Sequence, residues 1–392
     1  MVFLRVTGVL LLGLVSVTFA GCAGPSRGAY LEMKDMPQGA KPIPVYVATS
    51  RKRTKDGGEM FTGERAVETD FARIVVSIPP NHEVGKIEWG TSKPLDPSTS
   101  FALVSHEYLA RNAVLSDLKA DLAKRKSSDR EVLVFIHGYN TSFDSGAFLF
   151  SQILADSNYH GVPVMFTWPS RNRLLSYPYD RESALYSRDD LAAVLEELAS
   201  LTDVKKIHIM AHSMGNMVTL EALRETTLTG KTQLQSKIGQ IMLASPDVDK
   251  DVFLREFEKL GKLKRSVTMF VSKDDKALAA SRLFWGDSTR IGALDLKDTE
   301  IVKALTDMGL TIVDLSEVKG DDLSHSKFAQ SPAVVQLIGQ QISVDAFSKT
   351  TTFADRLAQF NANLSTEIGQ EIGYAVSLPG SVATRVVGGE EP

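Results

Sequence analysis

From residue 132 onward, short unbroken apolar runs alternate with segments of helical periodicity. This rhythm constrains the fold more than any other feature of the chain. The runs are Val132-Leu133-Val134-Phe135-Ile136, Val162 to Thr167, Lys206 to Met210, Gln240 to Leu243, Val267 to Val271 and Leu310 to Leu315. Helical spacing of apolar residues fills 145–155, Leu185 to Leu201, Met214 to Arg224, Val252 to Leu260, Ala277 to Leu283 and Ser331 to about Ile342. A strand that is apolar at every position must be buried on both faces, as a parallel sheet covered by helices on each side provides. Upstream, 45–48 and 74–78 (the latter closed by Pro79-Pro80) read as strands of an N-terminal meander, and Leu109 to Leu122 reads as a helix. The pattern predicts an α/β fold built on a mostly parallel sheet of about eight strands with helices on both faces.

Cysteine usage removes several alternatives. Cys22 is the one cysteine of 392 residues, so neither a disulfide scaffold nor a cysteine-rich zinc site can form within the chain. The formal net charge of −4 gives no sign of a nucleic-acid surface. The run Arg51-Lys52-Arg53-Thr54-Lys55 reads as a solvated loop, with contact to anionic lipid as the lesser reading. At the N-terminus, Arg5 precedes an uncharged stretch, Val6 to Ala20, too short for a comfortable span and of signal-peptide length. It ends in Phe19-Ala20-Gly21-Cys22, followed by Ala23. These residues resemble a bacterial lipoprotein signal, with Phe19 where Leu is usual. The resemblance implies lipidation of Cys22 and an envelope location, on the periplasmic side of the outer membrane given Ala23. The expected organisation is a signal peptide over 1–21, a tether over 22–42, one catalytic domain over 43–345, and a terminal helix followed by a disordered tail over 346–392.

The chemistry concentrates around Ile207-His208-Ile209-Met210-Ala211-His212-Ser213-Met214-Gly215-Asn216. A β-branched strand runs into a serine flanked at two residues by Ala211 and Gly215, and a helical pattern follows. This is the layout of a nucleophile elbow, a crowded strand–turn–helix that needs small residues on either side. A serine capping a helix is the plainer reading. A second apolar strand ends in His137-Gly138-Tyr139-Asn140. In such sheets this loop offers one backbone N–H to a developing oxyanion, here Tyr139, and the residue after the nucleophile, Met214, offers another. His137 reads as a ring anchoring the loop, not as a base.

Of the seven histidines, His325 alone follows Ser213, in the polar loop Asp321-Asp322-Leu323-Ser324-His325-Ser326 after the last core strand. With chain order Ser, acid, His, it is the candidate base. The acid belongs after Val267–Val271, where Ser272-Lys273-Asp274-Asp275-Lys276 favours Asp275 over Asp274. Asp247 and Asp249 remain open, although they could equally cap the following helix. Thr229-Gly230-Lys231-Thr232 lacks the first glycine and the leading strand of a phosphate-binding loop, and no H-E-x-x-H or G-x-G-x-x-G occurs. No metal or cofactor is expected.

Together, Val47-Ala48-Thr49-Ser50-Arg51, His137-Gly138-Tyr139-Asn140 with Ser142-Phe143, Trp168-Pro169-Ser170, Ala211-His212-Ser213-Met214-Gly215-Asn216, Ser245-Pro246-Asp247-Val248-Asp249, Ser272-Lys273-Asp274-Asp275-Lys276-Ala277-Leu278 and Ser324-His325-Ser326 resemble a bacterial α/β-hydrolase family of unknown function, esterase- or lipase-like. The resemblance covers about residues 45–345. It implies the α/β-hydrolase fold and a serine hydrolase activity, and supplies no substrate; a small-molecule carboxylic (acyl) ester, cleaved through Ser213, His325 and Asp275, is the expectation. An amidase, thioesterase or acyltransferase would use the same three residues. An envelope lipoprotein keeping the fold as a binding or assembly module is the reading from another class. Oligomeric state is not legible in the sequence.

Overall fold

The computed structural model describes residues 36–55, 59–90, 95–260, 267–284 and 286–342, and the backbone of 374–377 and 384–386. Cys22, the signal segment, most of the tether and the expected terminal helix lie outside the described residues. In chain order the elements are β1 (Lys41–Arg53), β2 (Phe61–Ile78), β3 (Ala102–Leu109), α1 (Arg111–Lys124), β4 (Glu131–Ile136), α2 (Phe143–Asp156), β5 (Val162–Thr167), α3 (Tyr177–Tyr186), α4 (Arg188–Ser200), β6 (Lys206–His212) and α5 (Gly215–Leu228). They continue as α6 (Thr232–Lys237), β7 (Ile238–Ala244), α7 (Lys250–Lys259), β8 (Val267–Val271), α8 (Lys276–Phe284), α9 (Thr299–Asp307), β9 (Leu310–Asp314), α10 (Lys327–Gln330), α11 (Pro332–Ile342), β10 (Tyr374–Ser377) and β11 (Thr384–Val386).

One sheet runs through the molecule in the order β11-β10-β9-β8-β7-β6-β4-β5-β1-β2-β3. Every pairing from β9 across to β1 is parallel, and the pairings of β2, β3, β10 and β11 are antiparallel. The expected α/β-hydrolase fold is therefore present, with eleven strands among the described residues in place of about eight. β3 escaped the sequence reading because its outer half, Ser105-His106-Glu107-Tyr108, lies at an edge and is only partly buried. β10 and β11 fall in the segment expected as helix and tail. There, Ala375-Val376-Ser377 pairs with the open ladder of β9 and satisfies N–H and C=O groups that an edge leaves free.

The parallel strands are buried at nearly every residue, so successive side chains feed two separate cores. Val132, Val134 and Ile136 of β4 pack with α1, α4, α5 and α7, whereas Leu133 and Phe135 pack with α2 and α11. The chain leaves β4 outward to β5 on one side, then returns to β6 on the other and continues to β9. Strand order thus reverses between β4 and β6, where an open α/β sheet leaves a crevice at the carboxyl ends of its strands.

The basic run needs correction. Arg51 is not solvated. It sits in β1 at 1% exposure, because β1 is an interior strand flanked by β5 and β2. Arg53 remains exposed and pairs with Asp70. Among the described residues, no helix is long and apolar enough to cross a membrane.

Candidate active site

Ser213 stands between the end of β6 and the start of α5 with φ at 52°, the left-handed region that a residue bearing Cβ enters only at a cost of about 1–2 kcal/mol. Surrounding contacts over-determine the turn. Its N–H donates to Ala244 O (2.9 Å), and its carbonyl accepts from Asn216 N (3.1 Å), Asn216 Nδ2 (2.9 Å) and Asp247 N (3.2 Å). A Cβ on Gly215 would lie 2.4 Å from His137 O, so only glycine lets α5 approach the end of β4. A Cβ on Gly138 would lie 2.7 Å from Ser213 Cβ, so the loop after β4 rests directly against the serine. Gly215, one of the two positions the sequence requires to be small, is thus small because two backbones meet there.

His325 lies in the loop after β9, and Asp275 lies between β8 and α8. His325 Nδ1 is 2.7 Å from Asp275 Oδ2, while Asp275 Oδ1 accepts from Leu278 N (2.9 Å) at the start of α8. The His325 carbonyl accepts from Ser245 Oγ (3.1 Å) and faces His212 Nε2 (3.4 Å). The His212 and His325 rings are 4.8 Å apart, which with the Ser245 bond places His325 at the carboxyl ends of β6 and β7. Burial opposes the charged form of His325, but the carboxylate of Asp275, backed by Asp247 and Asp321, raises its pKa above the ordinary histidine value. For His212, burial and then the neighbouring His325 act together and push the pKa well down, so it stays neutral.

The other carboxylates considered have separate work. Asp274 binds Lys327 Nζ through both oxygens (2.8 and 2.9 Å) and accepts from Ser272 Oγ and Ser324 Oγ. Asp249 caps α7, accepting from Asp251 N and Val252 N. Asp247 accepts from Tyr177 Oη (2.6 Å) and Ser281 Oγ (2.7 Å), beside Arg290. Of the four, Asp275 is the one in contact with His325.

Lys327 was not singled out by sequence. It is 3% exposed and donates to the carbonyls of Leu315 (3.0 Å) and Ser316 (3.2 Å) as well as to Asp274. It therefore ties the ends of β8 and β9 together two residues from His325. Nothing in the composition around it separates a buried lysine from a surface one.

The loop after β4 is equally well anchored. His137 is fully buried and stacks on Trp168 with ring centroids 4.8 Å apart. Burial, helped by the Arg51 charge, holds its pKa down to about 3, so it is neutral and no base for Ser213. Asp180 of α3 accepts from Ser170 Oγ and Arg171 N, and Ser170 Oγ in turn accepts from Thr141 N (3.0 Å). The Tyr139 ring leans on Tyr177 at 4.9 Å, and its hydroxyl donates to the carbonyls of Arg173 and Leu174. The backbone N–H groups of Tyr139 and Met214 donate to no other described residue. Among the described residues, no cluster of three or more His, Cys, Asp or Glu side chains could hold a metal ion.

A family model described as an alpha/beta hydrolase of unknown function (DUF900) matches residues 111–341. The chain belongs to this family; the match begins after β3, later than the resemblance from residue 45. A Nostoc sp. protein described as uncharacterized protein alr1448 is 27% identical over 127 residues, or 26% of this chain, and the chain spans 33% of that protein's length. A Lactobacillus plantarum WCFS1 protein assigned as a cell surface hydrolase overlays with a TM-score of 0.37 at 12% identity, covering 59% of this chain and 97% of that one. A Pyrobaculum calidifontis esterase overlays with a TM-score of 0.34 at 11% identity, covering 82% and 88%.

The strain at Ser213 predicts an inversion of the usual ranking. Ser213→Gly should be more stable than Ser213→Ala by about 1 kcal/mol, because glycine alone enters the left-handed region freely. Urea midpoints of the two variants measure it; an alanine variant as stable as the glycine one would mean the turn is unstrained.

Proposed function

We propose that this α/β-hydrolase is a serine esterase that cleaves carboxylic (acyl) esters through Ser213, His325 and Asp275. The reading is carried by one observation: a histidine hydrogen-bonded to a buried aspartate at 2.7 Å, held on the same strand ends as a serine in a left-handed turn. A helix-capping serine would need neither the strained turn nor the paired histidine.

In this mechanism neutral His325 takes the proton of Ser213 Oγ as that oxygen bonds to the substrate carbonyl carbon. The carbonyl π pair moves to oxygen, and the resulting oxyanion accepts from the N–H groups of Tyr139 and Met214. Collapse of the tetrahedral species breaks the bond to the leaving alcohol, which receives the proton from His325. Water, deprotonated by His325, then attacks the acyl-enzyme and releases the acid, returning the proton to Ser213. Asp275 holds Nδ1–H and stabilises the imidazolium in both halves. The lipoprotein-like residues around Cys22 support a further part of the reading, that the enzyme works on a lipid tether in the bacterial envelope.

Labelling with a fluorophosphonate probe tests the nucleophile. The chain should be labelled at Ser213, and Ser213→Ala should lose about four to six decades of kcat while staying folded. Folded wild-type protein that takes no label would favour a binding module on this fold.

The pH dependence has a definite sign. The base works in its neutral form, and Asp275 raises the His325 pKa, so kcat/KM should climb with pH through a midpoint above about 6.5. Asp275→Asn should move that midpoint down and lower the plateau; an unmoved midpoint would exclude Asp275 as the partner.

Cys22→Ser should release the protein from the membrane fraction with hydrolysis intact. Retention in membranes would mean that Val6 to Ala20 is an uncleaved anchor.

A further inference from the structure

Arg51 is a buried cation of β1, 1% exposed, and its bonds go to the loops around the site. All five of its guanidinium N–H groups have acceptors. Nε donates to Thr167 Oγ1 (2.8 Å), and Nη1 donates to the carbonyls of Thr62 (3.2 Å) and Ser170 (3.0 Å). Nη2 donates to Thr141 O (2.7 Å) and faces His137 Nε2 at 3.3 Å. No carboxylate pairs with it among the described residues; Asp180, Asp144 and Glu59 act on it only through space. Burial draws its pKa down to about 10, so it stays charged at neutral pH.

The environment fixes which nitrogen of His137 carries its proton. Nε2 faces three groups able to donate, Arg51 Nη2, the Thr167 hydroxyl (2.9 Å) and Trp168 N–H (3.2 Å), and one carbonyl, Trp168 O (3.1 Å). Nδ1 faces a carbonyl, Gly138 O, at 2.8 Å. A hydrogen on Nε2 would point among three donors, the Arg51 cation included, and would leave the bare Nδ1 against a carbonyl, so the neutral ring carries its hydrogen on Nδ1 and donates it to Gly138 O. That carbonyl and the Tyr139 N–H belong to one planar trans peptide, in which C=O and N–H point to opposite sides. Pinning Gly138 O therefore sets the direction of the Tyr139 N–H, which no other described residue engages.

We propose that Arg51 is a positioning residue for the oxyanion-binding peptide: it fixes His137, which fixes the Gly138–Tyr139 peptide plane. The inference rests on the esterase reading. It also draws on a residue outside the span matched by the family model, since that match begins at residue 111. Arg51 reaches the same loop a second time through Thr141 O, two residues beyond Tyr139, so both ends of the donor segment are held by one planar group. A lysine there would keep the charge but could not span these acceptors with a fork.

The test uses the full chain, p-nitrophenyl acetate as substrate, and an aryl trifluoromethyl ketone that forms a hemiketal oxyanion with Ser213. Arg51→Gln should lose about 10- to 100-fold in kcat with KM changed by less than about twofold, and should lose ketone affinity by a similar factor. Arg51→Lys should recover part of both. Rates are taken per active site, titrated with a fluorophosphonate below the melting temperature of each variant, so unfolded protein does not count. Wild-type kcat and ketone affinity in titrated Arg51→Gln would overturn the proposal and assign Arg51 to stability alone. If Arg51→Gln does not fold, Arg51→Lys decides by the same criterion: lowered kcat at unchanged KM supports the proposal, and wild-type kcat overturns it. Wild-type protein that neither turns over the ester nor takes the probe would overturn the esterase reading, and this inference with it.

Discussion

Everything at the candidate site depends on how closely three backbones meet at Ser213. The serine turn, the Gly138 loop and the first turn of α5 are packed so tightly that a single added methyl on Gly138 or Gly215 would overlap a neighbour at 2.7 or 2.4 Å. Such an arrangement keeps a residue at positive φ because the bonds to Ala244, Asn216 and Asp247 leave no room to relax. The strain also gives Ser213 its placement. A relaxed turn would carry the hydroxyl away from the strand ends, where the loop after β4 and the loop after β9 both arrive.

Two buried cations steady those two loops. Arg51 holds the loop after β4, and Lys327 holds the junction of β8, β9 and the His325 loop. Their partners differ with their chemistry. Lys327 pairs with a carboxylate, Asp274, which offsets much of the cost of burying a charge. Arg51 relies on carbonyl and hydroxyl dipoles, which suits a delocalised and weakly hydrated guanidinium. Both bring distant strands together at one end of the sheet. Neither touches Ser213 or His325, so their effect on chemistry must pass through the backbone they fix.

The fold was legible because period and burial agree. Strands such as Val132–Ile136 and Val267–Val271 are apolar throughout and are buried throughout. Edge strands were less legible: β3 mixes buried and exposed residues, and its polar outer half hides the pattern. At the site, the types and order of Ser213, Asp275 and His325 were enough to nominate them, and the structure brings Asp275 and His325 into contact. Ala211 and Gly215 were expected to be small, and Gly215 shows why. The supporting cations were illegible for a physical reason. Arg51 and Lys327 are hydrophilic side chains whose burial is decided by acceptors from remote segments, and no local window contains those acceptors.

The pairing of β1 with β5 has a consequence for how the molecule is made. Arg51 and Ser170 are 119 residues apart in sequence, and His212 and His325 are 113 apart. Parallel contacts over such separations must overcome the entropy of closing long loops before they are rewarded, and they form slowly. The last parts of the site to arrive thus come from opposite ends of the chain: a strand made early that waits for β5, and a loop made late that waits for nothing. A nascent chain stopped before β9 would already possess the serine, its turn and its anchored loop, yet would lack His325. Under the proposed triad, chain order itself keeps Ser213 without its partner until β9 has been made.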